Sequence, residues 1–234
     1  GRKILLNRGI ELVGQEATIG SSLIEGIVIG DDTFDDNDLA YYPNIKVISR
    51  FGKGFNNVHV SRRENLYVTN TPGCNEIAAA QFTVALINSL AHGIQSSQSL
   101  FSSGEWTKVI PRTPPEELCI GIVGLGHIGQ EVTRQMKKLG CKVIAWTVHP
   151  KLHLDFIKQQ ELQMCDSVKE LCEEADIVSL HTRASKKTNN LMGTKELQAL
   201  ASHSGFIVNI SRATILDYQT VSKLIEEKKL GGAA

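Results

Sequence analysis

The feature that most constrains this chain lies near its middle. Leu118-Cys119-Ile120-Gly121-Ile122-Val123 is an apolar run, and it passes without a break into Gly124-Leu125-Gly126-His127-Ile128-Gly129. An unalternating apolar run bounded by a glycine turn reads as a strand buried on both faces. A predicted helix, Ile128–Leu139, follows at once, and then a second predicted strand, Lys142–Trp146. In that setting each glycine has its own reason. Gly124 permits the tight turn, Gly126 lacks the Cβ that would keep an anion off the backbone, and Gly129 lets the helix close on the strand. The amides of His127 and Ile128 then stand at the positive end of a helix dipole, suited to a diphosphate. Strand, glycine turn, helix and second strand together predict a dinucleotide-binding unit, with NAD or NADP as its ligand.

The remaining pattern supports a sheet built around that unit. Val168–Glu174, Thr194–Ala201 and Asp217–Lys229 read as helices, with Ile177–His181 and Phe206–Ile210 as strands between them. Helices alternating with apolar strands predict an α/β fold whose parallel sheet is covered on both faces. The first third has a different texture. Lys3–Asn7, Gly26–Gly30, Ile45–Ser49 and Leu66–Asn70 read as short strands, and Asp36–Tyr42 as a short helix or turn before Pro43. Beyond Thr71-Pro72-Gly73 a long helical stretch runs from about Asn75, a plausible N-cap, to Ser102. Pro111, Pro114 and Pro115, half of the six prolines, mark a loop or hinge. The expected division is a smaller domain over residues 1–73 and a dinucleotide-binding domain over 74–234.

Composition removes several alternatives. With 25 basic and 25 acidic residues the formal net charge is zero, so nucleic acid is not an expected partner. The apolar stretch Ile77–Ile94 is interrupted by Gln81, Asn88, Ser89 and His92 and reads as a buried helix, not a membrane span. No secretory leader is evident at the first residues. The five cysteines are odd in number and contain no CxxC, which fits small core residues in a reducing, cytoplasmic compartment. His149 and His153 are four apart but have no evident third ligand, so no metal is expected. Asp31, Asp32, Asp35, Asp36 and Asp38 lack the glycine and glutamate of a calcium loop and read as a solvated turn into a helix start.

The second strand ends Ala145-Trp146-Thr147-Val148-His149-Pro150-Lys151. An acidic side chain is expected at this place in an NAD site, to hold the ribose hydroxyls. Thr147 stands there and is neutral, with His149 and Lys151 close behind. The reading leans to NADP over NAD.

Several spaced segments together resemble a known family. They are Arg50-Phe51-Gly52-Lys53-Gly54-Phe55-Asn56-Asn57-Val58, Asn70-Thr71-Pro72-Gly73-Cys74-Asn75, the glycine turn, Leu180-His181-Thr182, Asn209-Ile210-Ser211-Arg212-Ala213 and Leu230-Gly231-Gly232-Ala233-Ala234. In this order they resemble the D-isomer-specific 2-hydroxyacid dehydrogenases, which include phosphoglycerate, formate and phosphite dehydrogenases. The resemblance implies a Rossmann-type doubly wound parallel sheet plus a smaller flavodoxin-like α/β substrate domain. It implies hydride transfer between a nicotinamide and a small anionic D-2-hydroxy or 2-oxo acid in a cleft, and a homodimer. By the same resemblance Arg212 clamps the substrate carboxylate, which suits a permanently charged guanidinium fork. The Gly52-Lys53-Gly54 loop receives the same anion, with Lys53 in the form similar to phosphite dehydrogenase. Asn75 matches an asparagine that contacts substrate in formate dehydrogenases. Thr182, Ile210 and Ser211 match positions that line the cofactor.

The chain also departs from that pattern. Family members continue past the Gly-Ala-Ala strand to an aspartate near the nicotinamide and to a glutamate and histidine that transfer the proton. This sequence ends at Ala234, so the expectation is a chain without that pair, weak or inactive by itself. Gln81 stands where the family usually has glutamate. Ala213 stands where it usually has glycine, which matters only if that backbone needs a positive φ. The resemblance extends to the C-terminal binding protein corepressors, so a dinucleotide-sensing binding protein is the alternative.

Overall fold

The structure, a computed structural model, describes residues 2–14, 20–55, 57–61, 63–105 and 113–234. Two compact units divide the chain, Gly1–Asn75 and Glu76–Ala234. Asn56 and Pro111, both singled out in the sequence, lie outside the described residues.

The smaller unit is parallel α/β. It contains α1 (Arg2–Leu6), β1 (Gly26–Ile29), β2 (Phe34–Asp35), α2 (Asp36–Tyr41), β3 (Val47–Arg50), β4 (Val58–His59) and β5 (Tyr67–Asn70). Its main sheet has the order β1-β3-β5, and β2 pairs with β4 apart from it. Ile29, Phe34, Leu39, Ile45 and Ile48 form its core. The acidic cluster starts α2: Asp35 accepts the amides of Asn37 and Asp38, while the Asp38 carboxylate accepts the Asp35 amide at 2.9 Å. This is a capping box, and it satisfies helix-start donors that would otherwise need water. Asp36 is spent on Ser61, whose amide and hydroxyl donate at 2.7 and 2.6 Å and hold its pKa below the usual carboxylate range.

One expectation fails here. Lys3–Asn7 reads as a strand, yet Arg2–Leu6 is helical. A short apolar run has no period by which to separate helix from strand. The turn after it decides: Gly9 donates to Leu6 and Ile10 to Leu5, the paired bonds of a helix C-terminus closed by a left-handed glycine.

The larger unit begins with α3 (Glu76–Ala91) and α4 (Ile94–Ser102), in place of one long helix. The two are bent by 60° at Gly93, which takes a left-handed φ of 57° that glycine adopts without penalty. No single helix among the described residues is long and apolar enough to cross a membrane. Then come β6 (Cys119–Val123), α5 (His127–Lys138), β7 (Lys142–Trp146), α6 (Leu154–Gln159), β8 (Gln163–Met164), α7 (Val168–Glu174), β9 (Ile177–Leu180), α8 (Thr194–Ala201), β10 (Phe206–Asn209), α9 (Tyr218–Glu226) and β11 (Gly232–Ala233).

The six strands form one parallel sheet in the order β11-β10-β9-β6-β7-β8. Chain order runs outward from β6 in one direction and from β9 in the other. That is the doubly wound Rossmann arrangement, and ligands bind outside the carboxyl ends of its two central strands. β6 and β9 are buried at every residue. Their alternate side chains feed two cores. Ile120 and Ile122 pack with Ala80, Ile87, Val132, Met136 and Phe156 on one face, and Val123 and Val178 with Leu171, Leu197, Leu200 and Leu224 on the other. α7 lies especially close to β6, because a Cβ on Gly121 would meet the Ala175 methyl at 2.9 Å and strike Leu171. Cys119, Cys141, Cys165 and Cys172 are buried free thiols of this unit; burial pushes Cys172 up to about 12, so it stays protonated.

Candidate functional site

The glycine turn leaves the carboxyl end of β6 at the point where β6 and β9 diverge in winding. Gly124 has φ +107°, and a Cβ there would meet the His181 carbonyl carbon and the Thr182 nitrogen and Cγ2, each at 2.9 Å. It is therefore both a conformational and a packing glycine. Gly129 has an ordinary helical backbone, but its Cβ would run into the Gly124 carbonyl and come to 3.3 Å from His181 Cβ. Gly126 differs from both, since a Cβ there would meet nothing within 4 Å. Nothing among the described residues requires Gly126 to lack a side chain, and its face is open there. Gly126 caps α5 without a side-chain hydrogen bond, and the Gln130 amide makes the first bond of the helix, to the Gly126 carbonyl at 2.9 Å. The amides of His127, Ile128 and Gly129 precede that bond and form a helix-start donor set of the kind that receives an anion.

Two buried polar atoms adjoin this turn without a partner among the described residues, His181 Nδ1 and Thr182 Oγ1. The other nitrogen of His181 lies 2.9 Å from Ser179 Oγ. Burial pulls the His181 imidazole down to about 4, so it is neutral at physiological pH. The orphaned atoms and the open face of Gly126 fit a polar ligand at this end of the sheet.

The loop after β10 is tied down by its own side chains. Asn209 Nδ2 donates to the Arg212 carbonyl at 3.2 Å and to Tyr218 Oη at 2.9 Å, while its Oδ1 accepts the Ser211 amide at 2.9 Å. Ser211 Oγ donates to the Leu180 carbonyl at 2.6 Å, joining the loop to β9. Ile210 and Ser211 are half-buried and Arg212 is exposed. The Arg212 guanidinium donates to the Ser211 carbonyl at 3.0 Å and pairs with no carboxylate among the described residues. Ala213 has no positive φ, so its replacement of a glycine costs the backbone nothing. Thr147 follows β7 and is half-buried, with His149 and Lys151 exposed beyond it. His153, at the end of the 3-10 turn Pro150–His153, places Nδ1 3.3 Å from Gln130 Nε2. Burial, then His149 and His127, lower its pKa.

In the smaller unit the Gly52-Lys53-Gly54 loop is pinned at both ends. The Gly52 amide donates to Thr71 Oγ1 at 2.7 Å, and Asn70 Nδ2 donates to the Lys53 carbonyl at 2.7 Å. Behind the loop Arg50 donates to Asp31 at 2.6 Å, to Asn57 Oδ1 at 3.2 Å and to the Phe51 carbonyl. Asn57 in turn donates to the Gly30 and Asp32 carbonyls at 3.1 and 2.6 Å. Gly52 is buried, and Lys53 and Gly54 are half-buried. Asn75 is exposed and directly precedes α3. Arg50, Asn209 and Glu76 organise their surroundings without being among the site residues expected from the sequence. Only Asn209, two residues before Ser211, carried a local signal, that of an Asx turn.

Comparison with known proteins agrees with this geometry. The family described as "D-isomer specific 2-hydroxyacid dehydrogenase, NAD binding domain" matches residues 84–234. The D-3-phosphoglycerate dehydrogenase of Methanocaldococcus jannaschii is 29% identical over 195 residues, 81% of this chain and 36% of that protein. The glyoxylate reductase of Thermofilum pendens is 29% identical over 213 residues, 87% of this chain and 61% of that protein. Among solved structures, Salmonella D-lactate dehydrogenase superposes with a TM-score of 0.82 at 19% identity, covering 99% of this chain and 73% of that one. The chain thus spans less than two thirds of these two curated relatives. Its larger unit carries a nicotinamide-dinucleotide-binding domain. By the glycine turn, the sheet order and the matched family, this chain belongs to the D-isomer specific 2-hydroxyacid dehydrogenases.

Proposed function

We propose that this protein is an NAD(P)-dependent oxidoreductase that moves a hydride between nicotinamide and the α-carbon of a small D-2-hydroxy or 2-oxo acid. One observation carries the reading: Gly126 is open on a face that the described residues leave unfilled, between two glycines whose Cβ atoms the protein would reject. When bound, the nicotinamide group supplies or accepts the hydride. The backbone at Gly124, Gly126, His127, Ile128 and Gly129 holds the diphosphate, Thr147 the ribose, and Thr182, Ile210 and Ser211 line the rest of the coenzyme. Arg212 brings a guanidinium with donors still to spare to the substrate carboxylate. Lys53 adds positive charge on the Gly52–Gly54 backbone, and Asn75 adds a hydrogen bond to the substrate. Such donors stabilise negative charge on the substrate oxygen during transfer.

NADP is the preferred coenzyme in this proposal, because Thr147 repels no 2′-phosphate and His149 and Lys151 are exposed next to it. Thermal unfolding with NADH and NADPH tests both parts, since a ligand bound only by the folded state raises Tm. NADPH is expected to give the larger shift. Thr147→Asp should weaken NADPH by about tenfold or more, roughly the cost of one like-charge contact, with little effect on NADH. Gly126→Ala should leave the ligand-free Tm unchanged and abolish both shifts. No shift with either coenzyme refutes the reading, and a larger shift with NADH refutes the preference. Loss of reduced coenzyme with small 2-oxo acids such as glyoxylate and hydroxypyruvate tests the reaction on the whole protein. A homodimer belongs to the same proposal. Phe82 on α3 and Phe101 on α4 are 60% and 72% exposed, an apolar surface that association would cover, and light scattering measures it.

A further inference from the structure

The segments that leave the carboxyl ends of four neighbouring strands carry one sign of charge. In the sheet order β10-β9-β6-β7 they are residues 209–216, 181–190, 124–130 and 147–154. They hold Arg212, Arg183, Lys186, Lys187 and Lys151 and contain no aspartate or glutamate. None of these five cations pairs with a carboxylate among the described residues. Acidic groups do adjoin them. Glu76 on α3 meets the His127 ring at 2.8 Å, Glu131 on α5 takes Arg134 at 3.0 Å, Asp155 and Asp217 stand where α6 and α9 begin, and Asp166 follows the edge strand β8. At the amino end of the same sheet the signs are mixed and paired: Lys142 meets Glu174 at 3.5 Å, and Lys229 meets Glu227 at 2.8 Å. A chain of zero formal net charge thus gathers unpaired positive charge at the carboxyl end of this sheet.

Three of the five cations sit in one turn, and the turn is firmly built. Arg183, Lys186 and Lys187 are exposed. Thr188, 3% exposed, donates its hydroxyl to the Arg183 carbonyl at 2.5 Å, and the Thr188 and Asn189 amides donate to the Ser185 carbonyl at 3.1 and 2.9 Å. The segment therefore folds back on itself and does not trail into solvent. It also starts against the glycine turn, since a Cβ on Gly124 would lie 2.9 Å from the Thr182 nitrogen. Neighbouring strands are about 4.8 Å apart, and charges act over about 8 Å at physiological salt. Cations at the end of β9 are then felt at the end of β6 without touching what binds there. A field of this kind draws an anion in by diffusion, and it changes the rate of arrival more than the rate of departure.

Resting on the dinucleotide reading above, we propose that the Arg183–Lys187 turn is an electrostatic guide for the anionic coenzyme: Lys186 and Lys187 speed its arrival at the glycine turn and take no part in holding it. They are guiding residues, and neither touches the ligand once it is seated.

Stopped-flow binding of NADH, read by energy transfer from tryptophan, separates association from dissociation. At about 10 mM salt, where charges act over about 30 Å, Lys186→Glu with Lys187→Glu should slow association about tenfold, at the low end of steering effects. Dissociation should stay within about twofold of wild type. At about 1 M salt, where the range falls to about 3 Å, the two proteins should associate at the same rate. Lys138→Glu with Lys228→Glu makes the same change of net charge at exposed positions away from these loops, and should leave association near wild type. The wild type alone should also associate more slowly as salt rises. Association in the Lys186/Lys187 variant equal to wild type at low salt, equal slowing in the Lys138/Lys228 variant, faster dissociation as the main effect, or wild-type association indifferent to salt each overturns the guide and leaves the dinucleotide site standing. A wild type that binds no NADH overturns both.

Discussion

Acid should destabilise the larger unit through the His181 ring, and the size of the effect follows from the structure. His181 sits behind the glycine turn, with Nε2 on Ser179 and Nδ1 buried without a partner among the described residues. Burial lowers its pKa to about 4, against about 6.5 for a free imidazole. Between those values the unfolded chain binds a proton that the folded ring refuses, so acidification favours unfolding. The stability is present above about pH 6.5 and is lost as pH falls toward 4. At about 1.4 kcal/mol per pH step, the loss is about 2 kcal/mol by pH 5 and at most about 3 kcal/mol. Urea unfolding followed by the fluorescence of Trp146, at the end of β7, reads this unit at pH 7.5, 6 and 5. The carboxylates with lowered pKa, such as Asp217, lose their contribution mainly below about pH 5. His153 is lowered too, so the quantity to compare is the difference between wild type and His181→Gln. The variant should be less stable at pH 7.5 and lose about 2 kcal/mol less on going to pH 5. An equal loss in both proteins would show that His181 is protonated in the fold and refute the reasoning.

Two further outcomes follow from the same contacts. Gly129→Ala puts a methyl into the Gly124 carbonyl, so it should cost about 1–3 kcal/mol in unfolding free energy, whereas Gly126→Ala should leave stability unchanged, and both variants should lose the thermal shift with coenzyme. Arg50→Lys removes the fork that reaches Asp31, Asn57 and Phe51, and amide hydrogen exchange over residues 51–55 should accelerate about fivefold, for a loss of roughly 1 kcal/mol; unchanged exchange would mean that Thr71 and Asn70 hold the loop unaided.

The larger unit was legible because its strands are buried on both faces and its helices have amphipathic spacing. β6, β7, α7 and α8 fall at the limits read from sequence. What was missed had little pattern to show. β2, β4 and β8 are two residues long, and α6 buries little beyond Phe156. The long helix after Asn75 breaks because His92-Gly93 can turn, a choice that composition leaves open. At the candidate site, the glycine turn and Arg212 announce themselves locally. The Glu76–His127 pair does not, because its members are 51 residues apart and meet only when α3 packs on α5.

The contact between Gly129 and the Gly124 carbonyl has a consequence for how such a protein diversifies. It welds the start of α5 to the end of β6, so the floor of the proposed coenzyme seat is rigid peptide that cannot be retuned by exchanging side chains. In the proposed dinucleotide reading, discrimination between coenzymes then falls to the rim, at Thr147, His149 and Lys151, where substitution leaves that floor intact.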